Sequence, residues 1–249
     1  YSIGVLKSID GGLTWNTTGL TFTNTSTLAG DILIHPTNNQ ILWCGTSVGL
    51  YRTTNAGLNW TVVQTGNFSQ GSLRLKPNDP TTVYAVSNNR FFKSTNTGST
   101  FSVITTSLPI NSGRMLLDVT AANSNYIYIL STLTGGDFQG IYRSMDGGSS
   151  WTKTSGATDV FDGSGHYLGF QGGKLYCGSD GGVYVSNNGG IVFTDKTAGA
   201  QISQFYKVAV SKQTSANIVG GLQDNGGHAF SNGAWKNYYG ADGMDAAIS

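Results

Sequence analysis

The acidic side chains set the first limit on chemistry. The 249-residue chain carries thirteen acidic residues; all are Asp, and Glu is absent. A general acid, base or nucleophile built from a carboxylate must therefore be an Asp. Seven of the thirteen fall in segments that read as connections: Asp137, Asp159, Asp162, Asp180, Asp195, Asp224 and Asp242. The same segments hold Phe138, His166, Phe205, Tyr206, His228, Tyr238 and Tyr239. Asp and Asn accept hydrogen bonds from sugar hydroxyls, and aromatic faces pack on the apolar side of a sugar ring. The most distinctive stretch is Gly221-Leu222-Gln223-Asp224-Asn225-Gly226-Gly227, followed by Trp235 and by Gly240-Ala241-Asp242-Gly243-Met244-Asp245. Here Asp224, Asn225, Asp242 and Asp245 could converge on a ligand or on Ca²⁺, which takes oxygen ligands, although the loop spacing of an EF-hand is missing. A hydrogen-bonded corner between two sheets accounts for the same residues. Asp162, His166, Asp180 and Tyr238 complete the candidate ligand-binding set, while turn-rich sequence places Asp and Asn in loops whatever their function. His35, His166 and His228 lack metal-ligand spacing, and neither a nucleophile elbow nor a P-loop is present.

The elements that must position these residues follow from a repeat. Five octamers share the order Ser/Thr, any, Asp/Asn, any, Gly, any, any, aromatic. They begin at Ser8, Thr53, Ser94, Ser144 and Ser186 and end at Trp15, Trp60, Phe101, Trp151 and Phe193. Their third residues are Asp10, Asn55, Asn96, Asp146 and Asn188, at steps of 45, 41, 50 and 42. That is the period of a four-stranded propeller blade. The octamer has a local physical logic: Asp or Asn accepts from turn N–H groups, Gly supplies positive φ, and the closing aromatic fills space between sheets. These ten residues are expected to be structural. Around each octamer, β-branched and aromatic residues alternate in strand-length runs such as Ile41-Leu42-Trp43-Cys44 and Val83-Tyr84-Ala85-Val86.

The octamer resembles the Asp box, or BNR repeat, of sialidases, xyloglucanase-like glycosidases, sortilin/Vps10 domains and secreted bacterial proteins, and the resemblance runs the length of the chain. It implies an all-β fold: a β-propeller of four-stranded antiparallel blades with Asp-box turns. The expected blades are 1–30 (partial), 31–71, 72–115, 116–166, 167–206, 207–244 and 245–249 (partial). That gives five complete blades, the fifth with a degenerate octamer near Ser231-Asn232-Gly233-Ala234-Trp235. The expectation is one propeller domain within a longer polypeptide of seven blades in full, with ten as the alternative. The Gly221–Asp245 stretch is also similar to a signature of large secreted Asp-box proteins of Bacteroidetes-type bacteria, which often carry a C-terminal sorting tail for type IX secretion.

Composition narrows the partners. Charged residues are 11 %, the net charge is +1, and no Lys/Arg cluster occurs, which argues against nucleic acid and anionic membrane. No apolar run is long enough to insert as a membrane helix. Cys44 and Cys177 occupy matching positions in two repeats, too far apart for a disulfide, and are expected as buried free thiols. A sialidase resemblance would require an Arg triad and a Tyr–Glu pair. Glu is absent, and the five Arg are Arg52, Arg74, Arg90, Arg114 and Arg143. These features lean toward a non-catalytic binding or scaffold propeller, extracellular or on the cell surface. It would hold glycan or protein on its loop face, with no cofactor beyond Ca²⁺ and with other domains of the same chain as neighbours. One alternative is a xyloglucanase-like glycoside hydrolase with an Asp pair drawn from Asp162, Asp180, Asp224 and Asp242. An inverting pair stands about 6.5–9.5 Å apart and a retaining pair about 5–5.5 Å. The other alternative is a sortilin-like peptide-binding propeller.

Overall fold

A computed structural model describes residues 3–70, 73–154, 165–199, 205–222, 226–240, 243 and 247–248. Every regular element among them is a β-strand, and no helix is long and apolar enough to cross a membrane. The chain forms two compact units, Tyr1–Ala198 and Gly199–Ser249.

The first unit opens with a two-stranded sheet of β1 (Gly4–Lys7) and β2 (Asn16–Thr21). Four four-stranded antiparallel sheets follow, each ordered as its strands occur in the chain. They are β3 (Ala29–Ile34) to β6 (Thr61–Thr65) through β4 (Leu42–Thr46) and β5 (Gly49–Thr53); and β7 (Leu73–Lys76) to β10 (Ser102–Ile104) through β8 (Asp79–Val86) and β9 (Phe91–Ser94). The next two are β11 (Ser112–Val119) to β14 (Thr152–Lys153) through β12 (Ile127–Leu133) and β13 (Phe138–Ser144); and β15 (Gly165–Gln171) to β18 (Thr194–Asp195) through β16 (Lys174–Ser179) and β17 (Gly182–Ser186). The second unit holds one more such sheet, β19 (Phe205–Val210), β20 (Ile218–Leu222), β21 (Gly226–Ser231) and β22 (Ala234–Tyr239).

Each octamer joins the last two strands of its sheet, third to fourth in the four-stranded sheets of the first unit and β1 to β2 in the two-stranded one, and all five use the same two side-chain caps. The first hydroxyl accepts the N–H of the octamer glycine: Gly12 from Ser8 at 2.7 Å, Gly57 from Thr53 at 3.1 Å, Gly98 from Ser94 at 2.9 Å, Gly148 from Ser144 at 2.8 Å and Gly190 from Ser186 at 2.9 Å. The third residue's side-chain oxygen accepts the N–H four positions on, at 2.9–3.0 Å, from Thr14, Asn59, Thr100, Ser150 and Val192. These bonds satisfy turn donors that no strand can reach.

A cation just before each of the first four octamers reaches forward to the turn of the next. Lys7 Nζ donates to Ala56 O at 3.4 Å, Arg52 Nε to Thr97 O at 2.8 Å, Lys93 Nζ to Gly147 O at 2.8 Å, and Arg143 Nη1 to Gly189 O at 3.3 Å. The acceptor is always the carbonyl after the Asp/Asn. Val185 takes the cation's place before the fifth octamer.

The core lies between successive sheets. Trp43, Leu50, Phe68, Leu73, Val83 and Phe92 fill the space between the β3–β6 and β7–β10 sheets. Tyr84, Phe91, Met115, Leu117, Ile127 and Trp151 fill the next. Leu116, Tyr128, Leu130, Leu168, Leu175 and Cys177 fill the third. Burying each such side chain contributes about 1.5–3 kcal/mol relative to exposure. Cys44 and Cys177 are buried and free, and burial pushes both thiols up to about 12.

Several expectations need correction. Trp15 is 60 % exposed rather than plugged between sheets: its equivalent Trp151 is buried against Phe91 of the preceding sheet, and among the described residues no sheet precedes β1–β2. The degenerate fifth-sheet octamer is a two-residue hairpin turn: Ser231 pairs with Ala234 across Asn232 (φ 51°) and Gly233 (φ 77°). Asn-Gly with both φ positive matches the twist of the strands it joins, so no capping carboxylate is needed. Phe138, His166, Asp195, Phe205, Tyr206, His228, Tyr238 and Tyr239 lie within strands β13, β15, β18, β19, β21 and β22 rather than in connections.

Candidate functional site

Within each four-stranded sheet of the first unit the octamer turn sits at one end. The connection from second to third strand, and the entry to the first strand, sit at the other. In the first unit this second end gathers polar side chains from three successive sheets. Gln70 precedes β7, Arg114 is the third residue of β11, His166 is the second residue of β15, and Asp180 lies in the β16–β17 turn. They form one hydrogen-bonded chain. Arg114 Nε donates to Gln70 Oε1. Arg114 Nη1 lies 3.0 Å from His166 Nδ1 and donates to Gly165 O at 3.3 Å. His166 Nε2 lies 2.6 Å from Asp180 Oδ1, and both side chains are 52 % exposed.

A second network underlies this chain on the first strands. Asp31 Oδ2 accepts the Leu73 N–H at 2.9 Å, and Asp118 Oδ2 accepts the Phe170 N–H at 2.8 Å. Arg74 Nε donates to Asp118 Oδ1 at 2.7 Å, and its Nη1 stands 3.8 Å from Asp31 Oδ2. First strands β3, β7, β11 and β15 are thus tied side chain to backbone, which holds their ends in fixed relation. These partly exposed pairs position strands more than they stabilise them.

Of the residues proposed from sequence, His166 and Asp180 come together. Asp162, Asp224, Asn225, Asp242 and Asp245 lie outside the described residues. Tyr238 belongs to the second unit, near the end of β22, 52 % exposed and 5.2 Å from the Tyr239 ring. His228, on β21, has its Nε2 3.1 Å from Asn237 Nδ2. Among the described residues no three His, Cys, Asp or Glu gather as a metal site. Asp10 and Asp146 act within the octamer turns. Hydrogen bonds from Thr14 and Ser8 lower the Asp10 carboxyl to about 2, and those from Ser150, Ser144 and Ser149 lower Asp146 to about 2.

Gln70 and Arg114 were missed as site residues. They stand 44 residues apart, and Arg114 stands 52 from His166. Each interval is close to one octamer step, so superposing the repeats would have put them at neighbouring first-strand entries.

No family model matches the chain. A xyloglucanase of Hypocrea jecorina (strain QM6a) is 31 % identical over 154 residues, 51 % of this chain and 18 % of that protein. The chain thus spans under a fifth of that relative's length. Among solved structures, an ancestral GH74 enzyme matches 96 % of this chain and 36 % of its own, with a TM-score of 0.67 at 19 % identity. YCF48 bound to D1 peptide matches 93 % of this chain and 74 % of its own, with a TM-score of 0.55 at 15 % identity. The extracellular domain of a hybrid two-component system of B. thetaiotaomicron matches 96 % of this chain and 31 % of its own, with a TM-score of 0.52 at 12 % identity. With five four-stranded antiparallel sheets in chain order, a repeat of 41–50 residues and these likenesses, the chain is a β-propeller made of complete blades and a partial one.

Proposed function

We propose that this chain is the β-propeller portion of an extracellular, xyloglucanase-like glycoside hydrolase, with its loop face turned to a neutral polysaccharide. The observation that carries the reading is the 31 % identity to a xyloglucanase over half of the chain. It displaces the leaning toward a purely binding propeller that composition suggested. In this reading the octamers are Asp boxes, structural turns that leave the opposite end of each blade free for ligand. Asp180, bonded to His166, binds sugar hydroxyls. The reacting pair is drawn from Asp162, Asp224 and Asp242.

The test is release of reducing ends from xyloglucan by the 249-residue protein, with retention on immobilised xyloglucan measured in parallel. The reading expects both activities. Substituting a reacting Asp by Asn should lower turnover by about 10²–10⁴-fold, whereas Asp180→Asn should chiefly weaken retention. Absence of both retention and hydrolysis would remove the reading.

A second reading, glycan binding without cleavage, draws support from one observation: the Asp180 carboxylate is engaged by His166 at 2.6 Å, an arrangement suited to holding a ligand. Retention with no hydrolysis would select it.

A further inference from the structure

The contacts of His166 determine where its protons are. Arg114 Nη1 is permanently a donor, so His166 Nδ1, 3.0 Å away, can meet it only with a bare lone pair. The ring proton of the neutral imidazole then sits on Nε2, where it points at Asp180 Oδ1, 2.6 Å away. A second proton would place N–H against N–H at the Arg114 contact and one cation beside another. Among the described residues, the charged groups in contact with His166 are Arg114, from the first strand of the preceding blade, and Asp180, from the turn of its own blade. Gln70 is neutral and holds the Nε edge of Arg114.

We propose that Arg114 is a positioning residue of the loop-face site. It locks His166 as the Nε2–H tautomer and so orients Asp180, which makes the cluster a reader of neutral vicinal hydroxyls. The ligand half of this proposal rests on the glycan reading above. Its chemistry follows from charge: Arg114 and Asp180 cancel and His166 is neutral, so nothing selects an ionic ligand. A guanidinium donor and a carboxylate acceptor, held on one hydrogen-bonded chain, match the alternating acceptor and donor of adjacent sugar hydroxyls.

Two measurements test it on the whole protein. The first is histidine ¹⁵N NMR, with the His166 signals assigned by their loss in His166→Gln. At neutral pH wild type should show a protonated Nε2 and a bare Nδ1. Arg114→Met should give a mixture of tautomers, and Arg114→Lys, which keeps a donor, should restore the lock. The second is affinity for a neutral xyloglucan oligosaccharide at neutral pH. Arg114→Met should lose about tenfold in affinity, the equivalent of one charged hydrogen bond; Arg114→Lys should recover it. A wild-type Nδ1–H tautomer, or a tautomer unmoved in a folded Arg114→Met protein, overturns the positioning role. A locked tautomer in a protein that binds no neutral oligosaccharide overturns the glycan reading and the ligand half with it. Circular dichroism of each variant separates these results from misfolding.

Discussion

At the level of single residues, the octamer side chains act through neighbours at most four positions away, which is why they were readable before any fold was known. Asp146 takes hydrogen bonds from Ser144 Oγ, Ser149 N, Ser150 N and Ser150 Oγ at 2.6–2.9 Å. These contacts favour its ionised form and hold its carboxyl at about 2, against an ordinary 3.8. A depressed carboxylate contributes stability above the unfolded-state value and loses it as pH falls through the folded one. Urea unfolding should therefore show the midpoint dropping between about pH 4 and pH 2, and Asp146→Asn should flatten that drop. The same variant should cost little at neutral pH, because Asn55, Asn96 and Asn188 already serve at this position. A midpoint equally acid-sensitive in the variant would show that the sensitivity lies elsewhere. The loop-face chain was less legible. His166 and Asp180 stood out by composition, but Arg114 and Gln70 become their partners only through the register of strands a blade apart, which no local pattern encodes.

At the level of elements, equivalent turns differ in what they pack against. Gly12 and Gly98 occupy the same octamer position, with φ of 95° and 69°. A Cβ at Gly12 would find its closest neighbour, the Trp15 ring, at 3.8 Å, whereas one at Gly98 would collide with the indole of Trp43, fully buried on the second strand of the preceding blade. Gly12→Ala should cost about 1–2 kcal/mol for the left-handed backbone alone. Gly98→Ala adds about 1–3 kcal/mol of overpacking, for a total on the order of 3 kcal/mol or more. Chemical denaturation of the two variants checks this, and equal losses would refute the packing argument. Most strands were visible in sequence as alternating β-branched and aromatic runs, with ends a few residues off. β8, for instance, starts at Asp79, four residues before the run Val83-Tyr84-Ala85-Val86 that announced it. Ends are set by pairing, here Asp79 with Lys76, and pairing is not a property of one strand.

At the level of the whole molecule, low and balanced charge has a functional counterpart. Net charge is +1 with 11 % charged residues. A surface of this kind cannot steer a charged polymer over distance. Affinity for xyloglucan should change less than about twofold between 50 mM and 500 mM NaCl, because screening acts on fields that are nearly absent. A steep salt dependence would point instead to an ionic ligand. The propeller architecture was legible at this scale because the repeat period carries it. The function was not, because a blade's octamer describes how blades are built, and the loop face that meets a ligand is where repeats differ most.

The forward-reaching cations carry a consequence for how such a chain can grow. Each donor is a side chain, but each acceptor is a main-chain carbonyl that any octamer turn supplies. A duplicated blade would arrive with its own outgoing latch and a ready-made socket for the incoming one. It would need no matching mutation on either side. Blade number is thus free to drift by duplication, while the residues of the turn, which provide the socket's shape, are the part that copying must preserve.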